Sequence, residues 1–324
     1  MSSEAPPPPE NRRLIMLPAA LLAWAAGFAL FGVISPKIGF LAENPATFIA
    51  AAVLTMLSAF VVHGFSCLEV HRSVYLLIGA LAVAGVYQAA LPMVKRSQAI
   101  NRSGSITGEI LFISAATAGL SGETDRILLA TRNQLFTAVT REVAAAIPER
   151  PGMILLLCLM QLTLASGIGL WIGNGIDAVS HLIPVAVVAT LADIWSVSAG
   201  ATSMIIVSSA INYFLLRFPV PGTTEIQYLI GLTDFLFFAI FFQAARRFNL
   251  GTAKNAVLLL SSFLVAVAAA IFFGMGLPVL PFMALIFVAG NFRRLELKRE
   301  EIKQILIFSV VILAVFSAVT FYVR

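Results

Sequence analysis

QYLIGLTDFLFFAIFF, residues 227–242, sets one aspartate, Asp234, in a run of apolar side chains, and VAVVATLADIWSV, residues 185–197, does the same with Asp193. A third stretch, GMGLPVLPFMALIF, residues 274–287, is apolar throughout but broken by Pro278 and Pro281. A lone carboxylate near the bilayer centre costs ~2.5–3.5 kcal/mol even on the gentlest insertion scale. Two of them in neighbouring apolar spans mark a functional site, and the rest of the chain is organised around the region from Leu191 to Pro281.

Hydrophobic residues make up 60% of the chain and charged residues 11%, against the ~25% charged composition of a soluble domain. The chain reads as a polytopic membrane protein. Its net charge of +5 comes from short basic runs beside apolar spans: Arg12-Arg13, Arg246-Arg247, and Arg293-Arg294 through Lys303. Such runs set topology and meet lipid headgroups, so no nucleic-acid partner is implied. Cys67 lies at the end of one span and Cys158 inside another, which argues against a disulfide framework or a zinc site. His63, Glu69 and His71 follow a span, where polar residues are expected, and form no HExxH pattern, so no metal is assigned.

Residues 1–13, with four consecutive prolines, read as a disordered cytoplasmic tail. Apolar runs of about 20 residues then predict crossings at Leu14–Ile34, Ala46–Phe65, Val74–Val94, Met153–Gly173, His181–Val197, Glu225–Ala245, Ala256–Met275, a short Leu277–Asn291, and Ile305–Tyr322. The fold class is all-α: a polytopic transmembrane bundle of about nine spans. Residues 14–173 form an N-terminal bundle and 174–324 a C-terminal catalytic bundle. Within the first, segment 95–151 places Leu128, Leu135, Val139 and Val143 on one helical face beside Arg126, Arg132 and Arg141, which suits a helix lying in the membrane interface. Ala201–Arg217 reads as a mobile or interfacial helix closed by the turn Phe218-Pro219-Val220-Pro221-Gly222. With a cytoplasmic amino terminus in the cell membrane, this count puts Arg246, Arg247, Arg293 and Arg294 all inside.

That topology fixes depth. At ~1.5 Å per residue, Asp193 and Asp234 each fall roughly 9–14 Å below the outer surface, and the Pro278–Pro281 break falls at a similar level. A carboxylate pair in a low-dielectric setting does not readily ionise twice. One member then takes a proton from water while the other donates to a peptide carbonyl, giving a tetrahedral diol. Pro278 and Pro281 interrupt the helix ladder, leaving backbone groups near Val279 and Leu280 for an extended peptide to pair with. Water and two acids suffice for this chemistry, so no cofactor is implied.

At these residues the chain resembles the GxGD-type intramembrane aspartyl proteases, the presenilin and signal peptide peptidase group. The matching residues are Ala192-Asp193, where the family has Tyr-Asp; Gly231-Leu232-Thr233-Asp234, where it has Gly-x-Gly-Asp; and Pro278-Val279-Leu280, where it has Pro-Ala-Leu. The resemblance covers roughly Pro184 to Asn291. It implies a presenilin-like arrangement, catalytic Asp193 and Asp234, and substrate contacts at Gly231, Leu232, Thr233, Pro278, Val279 and Leu280. It also implies transmembrane proteins or peptides as substrates, and the charge pattern matches the signal peptide peptidase branch. A homo-oligomer or an accessory subunit stays open. Two alternatives stand beside this reading: a proton-coupled transporter or channel, for which paired intramembrane carboxylates and broken helices are equally natural, and an impaired presenilin-like scaffold, suggested by Ala192 and Thr233.

Overall fold

A computed structural model describes residues 10–37, 43–117, 150–198, 210–219, 226–273, 278–295 and parts of 303–318. Six helices among them are long and apolar enough to cross a membrane. Among the residues described without a break, eight long helices make the bundle: α1 Glu10–Ile34, α2 Glu43–Ser66, α3 Arg72–Thr117, α4 Pro151–Gly173, α5 Leu182–Ser198, α6 Leu232–Arg247, α7 Thr252–Phe273 and α8 Val279–Asn291. Between α5 and α6 one helical turn, Ile211–Phe214, leads into a β-hairpin of β1 Leu215–Pro219 and β2 Ile226–Gly231.

Several sequence expectations change. The first helix starts at Glu10, inside the stretch read as a disordered tail. The third does not stop at Val94 but continues to Thr117: no proline follows Pro92 in it, and the helix runs on through Gly104 and Gly108. The interfacial face at residues 126–143 lies outside the described residues. Of Ala201–Arg217, residues 201–209 are likewise undescribed, and the end of the segment is β1 rather than helix. The span expected at Glu225–Ala245 splits: Ile226–Gly231 is a strand and the helix begins only at Leu232. The physical reason is local. Gln227-Tyr228-Leu229-Ile230 carries aromatic and β-branched side chains suited to a strand, while Gly231 and Asp234 are helix-start residues.

As a result α6, with 16 residues, and α8, with 13, are shorter than the ~20 needed to cross the hydrocarbon. Both begin inside the bundle. Pro278 is the N-cap of α8, and Pro281 sits in its first turn, where a missing N–H breaks no helical bond. The last expected span, Ile305–Tyr322, is only partly described.

Small residues let the helices approach closely. Gly167 of α4 faces the backbone of Gly79 in α3, and Gly169 and Gly173 face the Leu236 and Ile240 carbonyls of α6. Aromatic rings fill the space behind the site: Phe235 stacks on Phe263 at 4.9 Å and Phe241 meets Phe287 at 4.8 Å, joining α6 to α7 and α8. Helices from both halves of the chain thus share one core.

Candidate functional site

One end of the bundle is tied by polar groups and serves as a datum. Arg246 bonds the Ser66 carbonyl and reaches Glu69 at 2.9 Å. Arg247 bonds the Asn174 carbonyl, with Asp177 at 3.7 Å. Buried Asn255 and Asn291 exchange amide hydrogen bonds of 3.3 and 2.5 Å between α7 and α8. Lys254 bonds the Gly290 carbonyl and Arg294 the Asn249 carbonyl.

Three elements can be measured from that end. Asp193 lies eleven residues beyond Leu182, the start of α5. Asp234 lies twelve residues before Arg246 in α6, and Leu280 eleven before Asn291, the end of α8. At ~1.5 Å per residue all three fall about 16–18 Å from the polar end, close to the middle of a ~30 Å hydrocarbon core.

Contacts across helices agree with this layer. The backbone N–H of Leu280 donates to Asp193 Oδ2 at 3.2 Å, so the α5 carboxylate caps the amino-terminal end of α8. Helix N-termini present unsatisfied N–H groups and a partial positive charge, and a carboxylate is a natural acceptor there. Asp234 occupies the equivalent place on its own helix: the N–H of Gly231, the N-cap, donates to Asp234 Oδ2 at 3.1 Å. α5 packs against both α6 and α8, so Asp193 and Asp234 stand on neighbouring helices. Asp234 is buried, whereas Asp193 is half-buried.

The other expected site residues fall around this pair. Gly231 is needed for proximity: a Cβ there would lie 3.0 Å from Asp234 Oδ2. Leu232 is buried in the first turn of α6, and Thr233 is exposed, so its methyl group stands on an accessible face instead of crowding the carboxylate from within. Pro278 and Val279 are half-buried and Leu280 is buried. The Leu280 amide, expected to await a peptide, is the donor to Asp193.

Sequence reading missed a buried polar group beneath the hairpin. Gln161 of α4 is fully buried, and its Nε2 donates to the carbonyls of Asn212, Tyr213 and Leu215 at 3.2, 3.1 and 3.3 Å. One turn away Cys158 Sγ donates to the Arg217 carbonyl at 3.5 Å, and Asn212 Nδ2 donates to Ser97 Oγ at 3.4 Å. The signal was present: Gln161 is a polar side chain inside an apolar span, as the two aspartates are.

Fold and site together describe a polytopic helical membrane protein with two carboxylates at helix starts in one layer. Compared with protein-family models, curated proteins and solved structures, the chain matches none.

Proposed function

We propose that this chain is an intramembrane aspartyl protease of presenilin-like arrangement, hydrolysing peptide bonds in or near the transmembrane segments of other membrane proteins. The observation that carries the reading is the hydrogen bond from the Leu280 N–H to Asp193, with Asp234 at a matching distance from the polar end of the bundle. With one proton shared by the pair, the ionised carboxylate takes a proton from water and the resulting hydroxide bonds to the scissile carbonyl carbon. The protonated member gives its proton to the carbonyl oxygen, forming a gem-diol. Collapse of the diol, with proton transfer to nitrogen, breaks the C–N bond.

The hairpin supplies the extended-peptide surface that this chemistry requires. Among the described residues the sheet has two strands, so β2 pairs with β1 on one side only. A peptide adding to the other edge would run alongside the chain that ends at Gly231, three residues before Asp234. Helical substrates must unwind to do so, which favours transmembrane segments containing Gly or Pro.

The test is incubation of purified protein in lipid nanodiscs with a panel of single-span proteins whose membrane segments contain Gly or Pro. Cleavage by the wild type, lost in both Asp193→Asn and Asp234→Asn, is expected. Absence of cleavage together with aspartate-dependent proton flux in liposomes would transfer the pair to a transporter.

A further inference from the structure

We propose that Gln161 is a positioning residue that holds Asp234 in place through the hairpin, a role that rests on reading Asp193 and Asp234 as the catalytic pair. The connection has three links. Gln161 Nε2 bonds the Leu215 carbonyl at 3.3 Å. Leu215 is the cross-strand partner of Gly231. Gly231 N–H in turn holds Asp234 Oδ2 at 3.1 Å.

The amide is suited to this task. Three backbone carbonyls converge on one side-chain nitrogen, so the orientation of the amide is dictated by its surroundings: oxygen in that place would face three acceptors. Its two hydrogens serve three carbonyls where the chain changes from a helical turn to a strand, a point at which those carbonyls have lost their helical partners. Gln161 Oε1 has no hydrogen-bond partner among the described residues although it is buried. Leaving a buried amide oxygen unpaired is unfavourable, and the three bonds made by the nitrogen are what the position gains.

The register shows why anchorage here matters. Between the pairs Leu216↔Ile230 and Arg217↔Tyr228, β2 carries one extra residue, Leu229, so a bulge lies just before the helix that bears Asp234. Bulges bend and twist a strand. A two-stranded ribbon with such a defect holds its direction poorly on its own, and β1 is steadied by a bond from α4. Cys158 adds a weaker bond from the same face of α4.

The experiment compares the wild type with Gln161→Leu and with Gln243→Leu, by amide hydrogen exchange in nanodiscs and by cleavage of the single-span panel. Gln243 is a matched control: it is also a buried glutamine with an unpaired oxygen, but it bonds Asn174 at the polar end. In Gln161→Leu the amides of residues 215–219 and 226–231 should exchange about tenfold faster, as local opening becomes easier, with no such change in Gln243→Leu. Turnover at saturating substrate should fall about 10–100-fold in Gln161→Leu, with KM little altered and more than one bond cut, because misplacement of a reacting group acts on kcat. Unchanged exchange in the hairpin, or an equal loss of turnover in both variants, overturns the role. Should the wild type cleave nothing, the protease reading falls while the exchange result still decides whether Gln161 anchors the hairpin. Gln161→Asn, which keeps the donor but is a methylene short, replaces Gln161→Leu if that variant does not fold, with the same outcomes.

Discussion

At Asp234 the carboxylate that the proposed chemistry needs also starts a helix, and the two duties can be separated by substitution. Asparagine keeps an oxygen to accept the Gly231 N–H, whereas alanine does not. Both Asp234→Asn and Asp234→Ala are expected to be inactive, but only the alanine variant should lose stability, by about 0.5–2 kcal/mol, the usual cost of a lost helix cap. Thermal unfolding in detergent measures this, and equal stability of the two variants would contradict the capping geometry. Gly231 offers a finer probe. Its φ of −71° is open to any residue, so Gly231→Ala acts only through the methyl group 3.0 Å from Asp234 Oδ2. The carboxylate must give by a few tenths of an ångström, and kcat should fall about tenfold with folding intact.

The elements that place these residues are held by backbone proximity and by rings. α4 is the central one, with Gly79 of α3 on one side and the α6 carbonyls on another. A Cβ at Gly169 would lie 2.6 Å from the Leu236 carbonyl oxygen, which belongs to a rigid helix backbone, whereas one at Gly290 would meet only the tip of Leu258, a side chain that can turn away. Gly169→Ala should therefore destabilise the protein by about 1–3 kcal/mol, the usual range for overpacking, and shift α6 with its aspartate. Gly290→Ala should be close to neutral. Comparing midpoints of thermal unfolding and the activities of the two variants checks the contrast.

For the whole molecule, the pair is a property of three helices and a hairpin together, and its titration belongs to the pair and not to either residue. The proposed cleavage needs one carboxyl protonated and one ionised. Activity should therefore fall toward acid, where both are neutral, and fall again toward alkali, where both are charged, giving a bell-shaped dependence of kcat/KM on pH. A flat profile in the wild type would contradict a shared proton. Leu77, Leu81, Leu285 and Phe273 are well exposed at the perimeter of the bundle. Surface of this kind is ordinary for helices facing hydrocarbon.

The membrane class and the weight of Asp193, Asp234, Pro278 and Leu280 were legible in the chain itself, because an apolar run of about 20 residues and a carboxylate within it have large, local energetic consequences. Gly231-Leu232-Thr233-Asp234 was legible as a motif but not as a helix start: the short run Tyr228-Leu229-Ile230 before it leans toward a strand only weakly, and pairing with Leu215–Pro219 fixed the strand. Gln161 was visible as a polar residue, but its partners are carbonyls some 50 residues away in sequence, a distance across which local pattern carries no information. Only tertiary structure could decide that Asp193 meets the N–H of Leu280, since that bond depends on how α5 and α8 pack and at what height each begins.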